Sequence, residues 1–226
     1  MILGLGTGWM EHEHTMFGYD LGDIPKRFAR FEEGLEVIRR LLRSDVPVSY
    51  SVDFFRLQDA VLLPRPQRKG GPPIMIGGSG TKRTLPLVAR YADIWNALAV
   101  TPTEFRECST LLDEILKVEG RLPKDVRRTV MIYALCGRDP SEFERRVSWA
   151  RRIVPMFGTM PLEDLKESYR QSLNAFCGPP DELADYVRTF AAAGADEIVL
   201  QWFGLDDIEG LGVLAENLLP ALAPHR

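Results

Sequence analysis

Short apolar runs alternate along the chain with longer stretches of helical period. Ile2–Gly6 is apolar and ends in glycines, as a buried strand does where it runs into a turn. Asp23 and Pro25 then open a helix near residue 24. Phe28, Phe31, Leu35, Ile38 and Leu42 follow at alternating steps of three and four, which paints one apolar helix face. Val48–Leu57 is β-branched and aromatic and predicts a small hairpin outside the main sheet. Further core strands are expected over Pro73–Ile76, Asp93–Ala97, Thr129–Leu135 and Glu197–Trp202. The helices between them are expected from about Lys82 to Tyr91, after Thr101, after Asp139, irregularly over 156–175, from Pro180 to Ala193 and from Asp206 to Leu222. Thr101-Pro102-Thr103-Glu104 is a capping box with proline at the first helical position, and Asp139-Pro140-Ser141-Glu142 repeats it.

Strands that alternate with helices in this way build parallel βαβ units, and continuous apolar strands fit a sheet covered on both faces. An open doubly wound sheet and a (β/α) barrel both satisfy the pattern. The polar and glycine-rich residues all fall just after strand C-termini, which favours the barrel. About five core strands are visible where a closed barrel has eight. The expectation is therefore an α/β chain of the (β/α)8 TIM-barrel type that holds strands 4 to 8 and their helices, an incomplete or shortened barrel with a hairpin insertion. It is read as one domain over residues 1–226.

Composition narrows the function. With 226 residues, 45% hydrophobic and 27% charged, the chain is neither disordered, collagen-like nor a coiled coil throughout. A net charge of −4 without a basic block argues against nucleic-acid or anionic-membrane partners. No apolar run approaches the ~18 residues of a membrane span, and residues 1–8 lack the basic start of a signal peptide. Cys108, Cys136 and Cys177 are few and scattered, which argues against a disulfide framework or a zinc site and fits a reducing cytoplasm.

Five segments carry candidate chemistry. Ile74-Met75-Ile76 runs into Gly77-Gly78-Ser79-Gly80-Thr81 and then a helix. Unpaired amides at such a junction, with no Cβ to hold a ligand away and Ser79 and Thr81 hydroxyls alongside, suit a phosphate or phosphodiester. A tight turn with a solvated Lys82-Arg83 pair is the plain alternative. Gly4-Leu5-Gly6-Thr7-Gly8-Trp9 lacks the spacing of a dinucleotide fingerprint and reads as a glycine turn at a ligand mouth, or as turn chemistry alone. Glu11, His12, Glu13 and His14 crowd four ionisable groups together. With one other histidine in the chain, a metal site is disfavoured. A solvated acidic turn competes with a mouth loop in which Glu13 or His14 relays a proton. Asn96, at a strand end, could bond a heterocycle edge. The Gln201-Trp202-Phe203 end could line an apolar pocket or belong to the core.

GLGTGW, the E-x-E-H-x-x-x-G segment, RFARFEEGLEVIRRLL, LPRPQ, PPIMIGGSG, TLPLVARYADIWNA and GPPDELADYVRTFAAAGADEIVLQW, taken in order, resemble the luciferase-like monooxygenase superfamily. The branch of coenzyme F420-dependent oxidoreductases is the most similar. The resemblance implies a (β/α)8 barrel, often dimeric, and redox chemistry on a small organic substrate through a reduced flavin-like cofactor. Coenzyme F420, which transfers hydride, is expected; FMN with oxygen is the alternative, and a non-catalytic flavin-binding or partner subunit a third. It also implies a cofactor phosphate at Gly77, Gly78, Ser79, Gly80 and Thr81, with Thr7, Gly8, Trp9, Glu11, Glu13 and His14 flanking the ring. Relatives carry further residues on the N-terminal side, and many have tyrosine where His14 stands.

Overall fold

A computed structural model describes residues 1–153, 158, 160–202, 204 and 206–222. Two compact units emerge, Met1–Trp95 with Leu111–Arg127, and Asn96–Thr110 with Arg128–Arg226.

In the first unit β1 (Leu3–Leu5) leads through a glycine turn into α1 (Glu11–Met16) and α2 (Ile24–Arg43). Asp23 caps α2 by accepting from the Lys26 amide at 2.8 Å, as the sequence predicts. The helix buries Leu35 and Val37 deeply and Phe28, Phe31, Ile38 and Leu42 in part. It also buries Glu33, whose carboxylate accepts the amides of Phe54 and Phe55 at 2.9–3.1 Å. That contact fastens α2 to the antiparallel hairpin β2 (Val48–Ser51) and β3 (Arg56–Ala60), which stands apart from the parallel strands as expected. The chain then enters β4 (Ile74–Gly77), α3 (Thr84–Tyr91) and the start of β5 (Ile94–Leu98). β1 and β4 pair in parallel with Leu5 opposite Ile76.

α4 (Pro102–Val118) opens on the predicted capping box, with Thr101 and Glu104 bonding each other's amides at 2.7 and 3.2 Å. Its Phe105, Leu112 and Leu116 are fully buried, and burial of each such side chain contributes about 1.5–3 kcal/mol.

In the second unit β6 (Arg127–Cys136) pairs in parallel with β7 (Phe176–Gly178) and β8 (Glu197–Gln201). α5 (Pro140–Ile153), α6 (Leu162–Leu173), α7 (Pro180–Ala192) and α8 (Ile208–Leu222) cover them. One local device serves both units. Asp93 accepts the Ile74 amide at 2.9 Å and Asp196 the Arg128 amide at 2.7 Å, so an aspartate just before a strand ties it to its neighbour.

Two elements depart from the sequence reading. Residues 11–16 form a short helix rather than a loop, and β7 falls between the irregular helix read over 156–175 and the helix from Pro180, where no element was expected. β7 has three residues, too few to display a period. Among the described residues β1 pairs only with β4 and β8 only with β6, so the parallel ladder stays open.

Candidate functional site

The pairing of β1 with β4 puts their C-terminal turns side by side. With Leu5 opposite Ile76, Gly6 leaves β1 at the level where Gly77 ends β4. A Cβ placed on Gly6 or Gly77 would meet nothing within 4 Å, so both glycines border open space. Gly78 has φ +114, a conformation that side chains rarely tolerate. Its carbonyl accepts the indole N–H of the fully buried Trp95 at 2.8 Å, which fixes the turn from below.

Beyond it, Gly80 accepts the Thr84 and Leu85 amides at 2.9 and 3.1 Å. The amides of Gly80, Thr81, Lys82 and Arg83 have no acceptor among the described residues, and no side chain caps α3. α3 begins at Thr84, two residues later than the sequence suggests. Thr81 is exposed, and Ser79 is partly buried and engaged in an interaction of its own.

The turn after β1 is held differently. Gly8 has φ +77, and a Cβ there would lie 3.2 Å from the His14 ring. The imidazole therefore packs over the bare backbone. Its Nδ1 lies 2.9 Å from the Met10 carbonyl. A carbonyl only accepts, so Nδ1 carries the proton and Nε2 is the basic nitrogen. Thr7 bonds the Gly8 carbonyl at 3.3 Å. Trp9, Glu11 and Glu13 are exposed, and neither carboxylate has an ion-pair partner among the described residues.

Arg27, in the first turns of α2, is a candidate that the sequence reading missed. It donates to the Gly8 carbonyl at 3.0 Å, while its Nε is shut off from water with no acceptor among the described residues. It lines a cavity of about 220 Å³ with Leu5, Gly6, Thr7 and Phe31. No local signal marks it, because its partner lies nineteen residues upstream. Bare glycines, free amides and an arginine with an unused donor together suit an anionic, flat-bodied ligand.

The other candidates lie in the second unit. Asn96 accepts from the Thr129 hydroxyl at 2.8 Å, so its carbonyl end is already committed inside the sheet. Trp202 is half-buried, whereas Phe203 lies outside the described residues. Cys136 and Cys177 are buried, and burial pushes their thiols up to about 12 and about 11, which keeps them protonated. Among the described residues no group of three or more His, Cys, Asp or Glu forms a metal-binding cluster, and no helix is long and apolar enough to cross a membrane.

Comparison with known proteins bears on the fold and the family. An F420-dependent glucose-6-phosphate dehydrogenase of Amycolatopsis mediterranei is 25% identical over 244 residues, covering 98% of this chain and 69% of that protein. A 4-hydroxyprotoasukamycin monooxygenase of Streptomyces nodosus subsp. asukaensis is 34% identical over 100 residues, covering 44% of this chain and 26% of its own. Among solved structures, an F420-dependent secondary alcohol dehydrogenase in complex with an F420-acetone adduct superposes with TM-score 0.76 at 21% identity, over 98% of this chain and 69% of that one. A long-chain alkane monooxygenase superposes with TM-score 0.70 at 13% identity, over 98% and 68%. The barrel-family α/β architecture expected from the sequence stands, with the ladder open rather than closed. Residues 1–197 match the sequence profile of luciferase-like monooxygenases, and the chain belongs to that family.

Proposed function

We propose that the chain is an oxidoreductase that binds coenzyme F420 and passes a hydride between it and a small organic substrate. The observation that carries this reading is the pair of adjoining glycine turns after β1 and β4, in register, open to solvent and lined with free amides. The names of its relatives support the choice of cofactor.

When bound, the reduced deazaflavin supplies the hydride; the chain's own residues bind, orient and handle protons. The amides of Gly80 to Arg83 and the Arg27 guanidinium face an anionic tail, and Trp95 keeps the Gly78 turn in shape. His14 is the stronger proton-handling candidate, since Nε2 is left basic by the bond at Nδ1. Glu13, exposed on the same short helix, is the second.

Titration of the purified protein with F420 and with FMN, followed by cofactor fluorescence, tests the reading. F420 is expected to bind, and Gly78→Val to weaken it at least about tenfold by forcing a β-branched residue to positive φ. Glucose 6-phosphate and secondary alcohols are the first substrates to assay. FMN binding with oxygen consumption would overturn the F420 reading in favour of a monooxygenase. His14→Gln is expected to lower turnover in steady-state assays with the reduced cofactor.

A further inference from the structure

We propose that the second unit carries a separate binding site for a small, flat aromatic carboxylate, walled by Trp149 and Trp202 and topped by Arg152. It uses none of the residues assigned to the cofactor. The observation is a cavity of about 220 Å³ between α5, the end of β6 and the residue just past β8. Ala134 and Leu135, both buried, line it together with the two half-buried tryptophans. A dry cavity of roughly 150 Å³ holds a benzene, so this one accommodates one or two fused rings. Tryptophan walls favour stacked or edge-on aromatic guests.

The pocket is also held rigid. The Arg146 guanidinium lies 5.5 Å from the Trp202 ring centroid. Arg146 donates to Asp207 at 2.6 Å, to Glu142 at 2.7 Å and to the Cys136 carbonyl at 3.0 Å, so its charge is matched internally. Arg145, on the rim, is matched by Glu209 at 3.2 Å. Arg152 is exposed and has no carboxylate within ion-pair distance among the described residues, which leaves it as the rim's unmatched cation. Asp206 also lines the cavity. The Trp202 Nε1–H is shut off from water with no acceptor among the described residues, so the indole edge is a donor without a partner inside the protein. Two aromatic walls and one unmatched cation define a guest that is flat, apolar in body and acidic at one end.

Calorimetric titration of the full chain with naphthoate and with its neutral isostere naphthylmethanol tests this without any cofactor. The acid is expected to bind saturably and about tenfold more tightly than the alcohol, the contribution of one charge-assisted contact. Arg152→Glu is expected to erase that preference and leave the alcohol unchanged. Trp149→Ala is expected to weaken both probes, and Trp9→Ala, in the other unit, neither. Both pocket positions are solvent-accessible, and unchanged melting temperatures will show the fold intact. Absence of saturation, equal affinity for the two probes, or indifference to Arg152→Glu or Trp149→Ala would each overturn the proposal.

Discussion

After β6 the chain turns through Gly137, Arg138 and Asp139 into α5; after β4 it turns through Gly77, Gly78, Ser79 and Gly80 into α3. Both turns join a parallel strand to a helix and both begin with glycine, yet the glycines serve opposite ends. A Cβ on Gly137 would lie 2.4 Å from the Phe143 amide nitrogen, so glycine is there because backbone packs on backbone. A Cβ on Gly77 would touch nothing. The helix starts differ in the same sense. At α5, Asp139 accepts the Glu142 amide at 2.8 Å and Glu142 accepts the Arg138 amide at 2.7 Å, so the chain's own carboxylates fill the positive end of the helix. At α3 no side chain does so. A helix start plugged with its own anions stabilises the fold, whereas one left open is available to a ligand.

The sharpest way to break that contrast is Gly137→Ala. It is expected to destabilise the protein by about 3 kcal/mol, since backbone must shift to admit the methyl group, read by denaturant unfolding. Glu142→Gln follows. It leaves the buried Arg146 short of a counter-charge, and loss of one partner from a buried pair costs about 3 kcal/mol.

The same carboxylate predicts a pH dependence. Burial alone would push the Glu142 carboxyl up, but hydrogen bonds from Arg138 and Arg146 outweigh it and hold the group down at about 2. Asp207 is lowered too, with burial again opposing the bond from Arg146. A depressed carboxyl stabilises the fold above its unfolded value and loses that contribution as pH falls toward its folded value. Stability is therefore expected to decline from about pH 5 toward 2, and Glu142→Gln to flatten the slope in acid unfolding curves.

Smaller effects are expected at the open turn. Trp95→Phe keeps the buried ring but removes the donor to Gly78. A loss of about 1 kcal/mol in stability is expected, together with a several-fold rise in cofactor Kd. Gly77→Ala is expected to change stability by less than about 0.5 kcal/mol while still weakening the cofactor, because the space its methyl group enters is the ligand's. If Gly77→Ala destabilised the protein as much as Gly137→Ala, the contrast between the turns would collapse.

Much of the candidate site was legible in local sequence. The run of small residues after an apolar strand marked Gly77 to Thr81, and GLGTG marked the neighbouring turn. Arg27 was not legible, because an arginine in an amphipathic helix carries no sign of the loop carbonyl it will reach. Asn96 read as available and is bonded within the sheet, since nothing local announces Thr129 across from it. The bond from Trp95 to a carbonyl seventeen residues earlier has no local sign either.

What the sequence by itself determined is whatever is settled within a few residues: helical faces by three-and-four spacing, helix starts by Asp23, Thr101 and Asp139, and the glycines that permit positive φ. These follow from backbone sterics and from hydrogen bonds between near neighbours. Only the tertiary structure decided that the turns after β1 and β4 stand together, that Arg146 meets Asp207, and that Trp149 and Trp202 enclose a cavity. Such contacts join residues tens of positions apart, and they form only when burial of apolar surface draws those segments together.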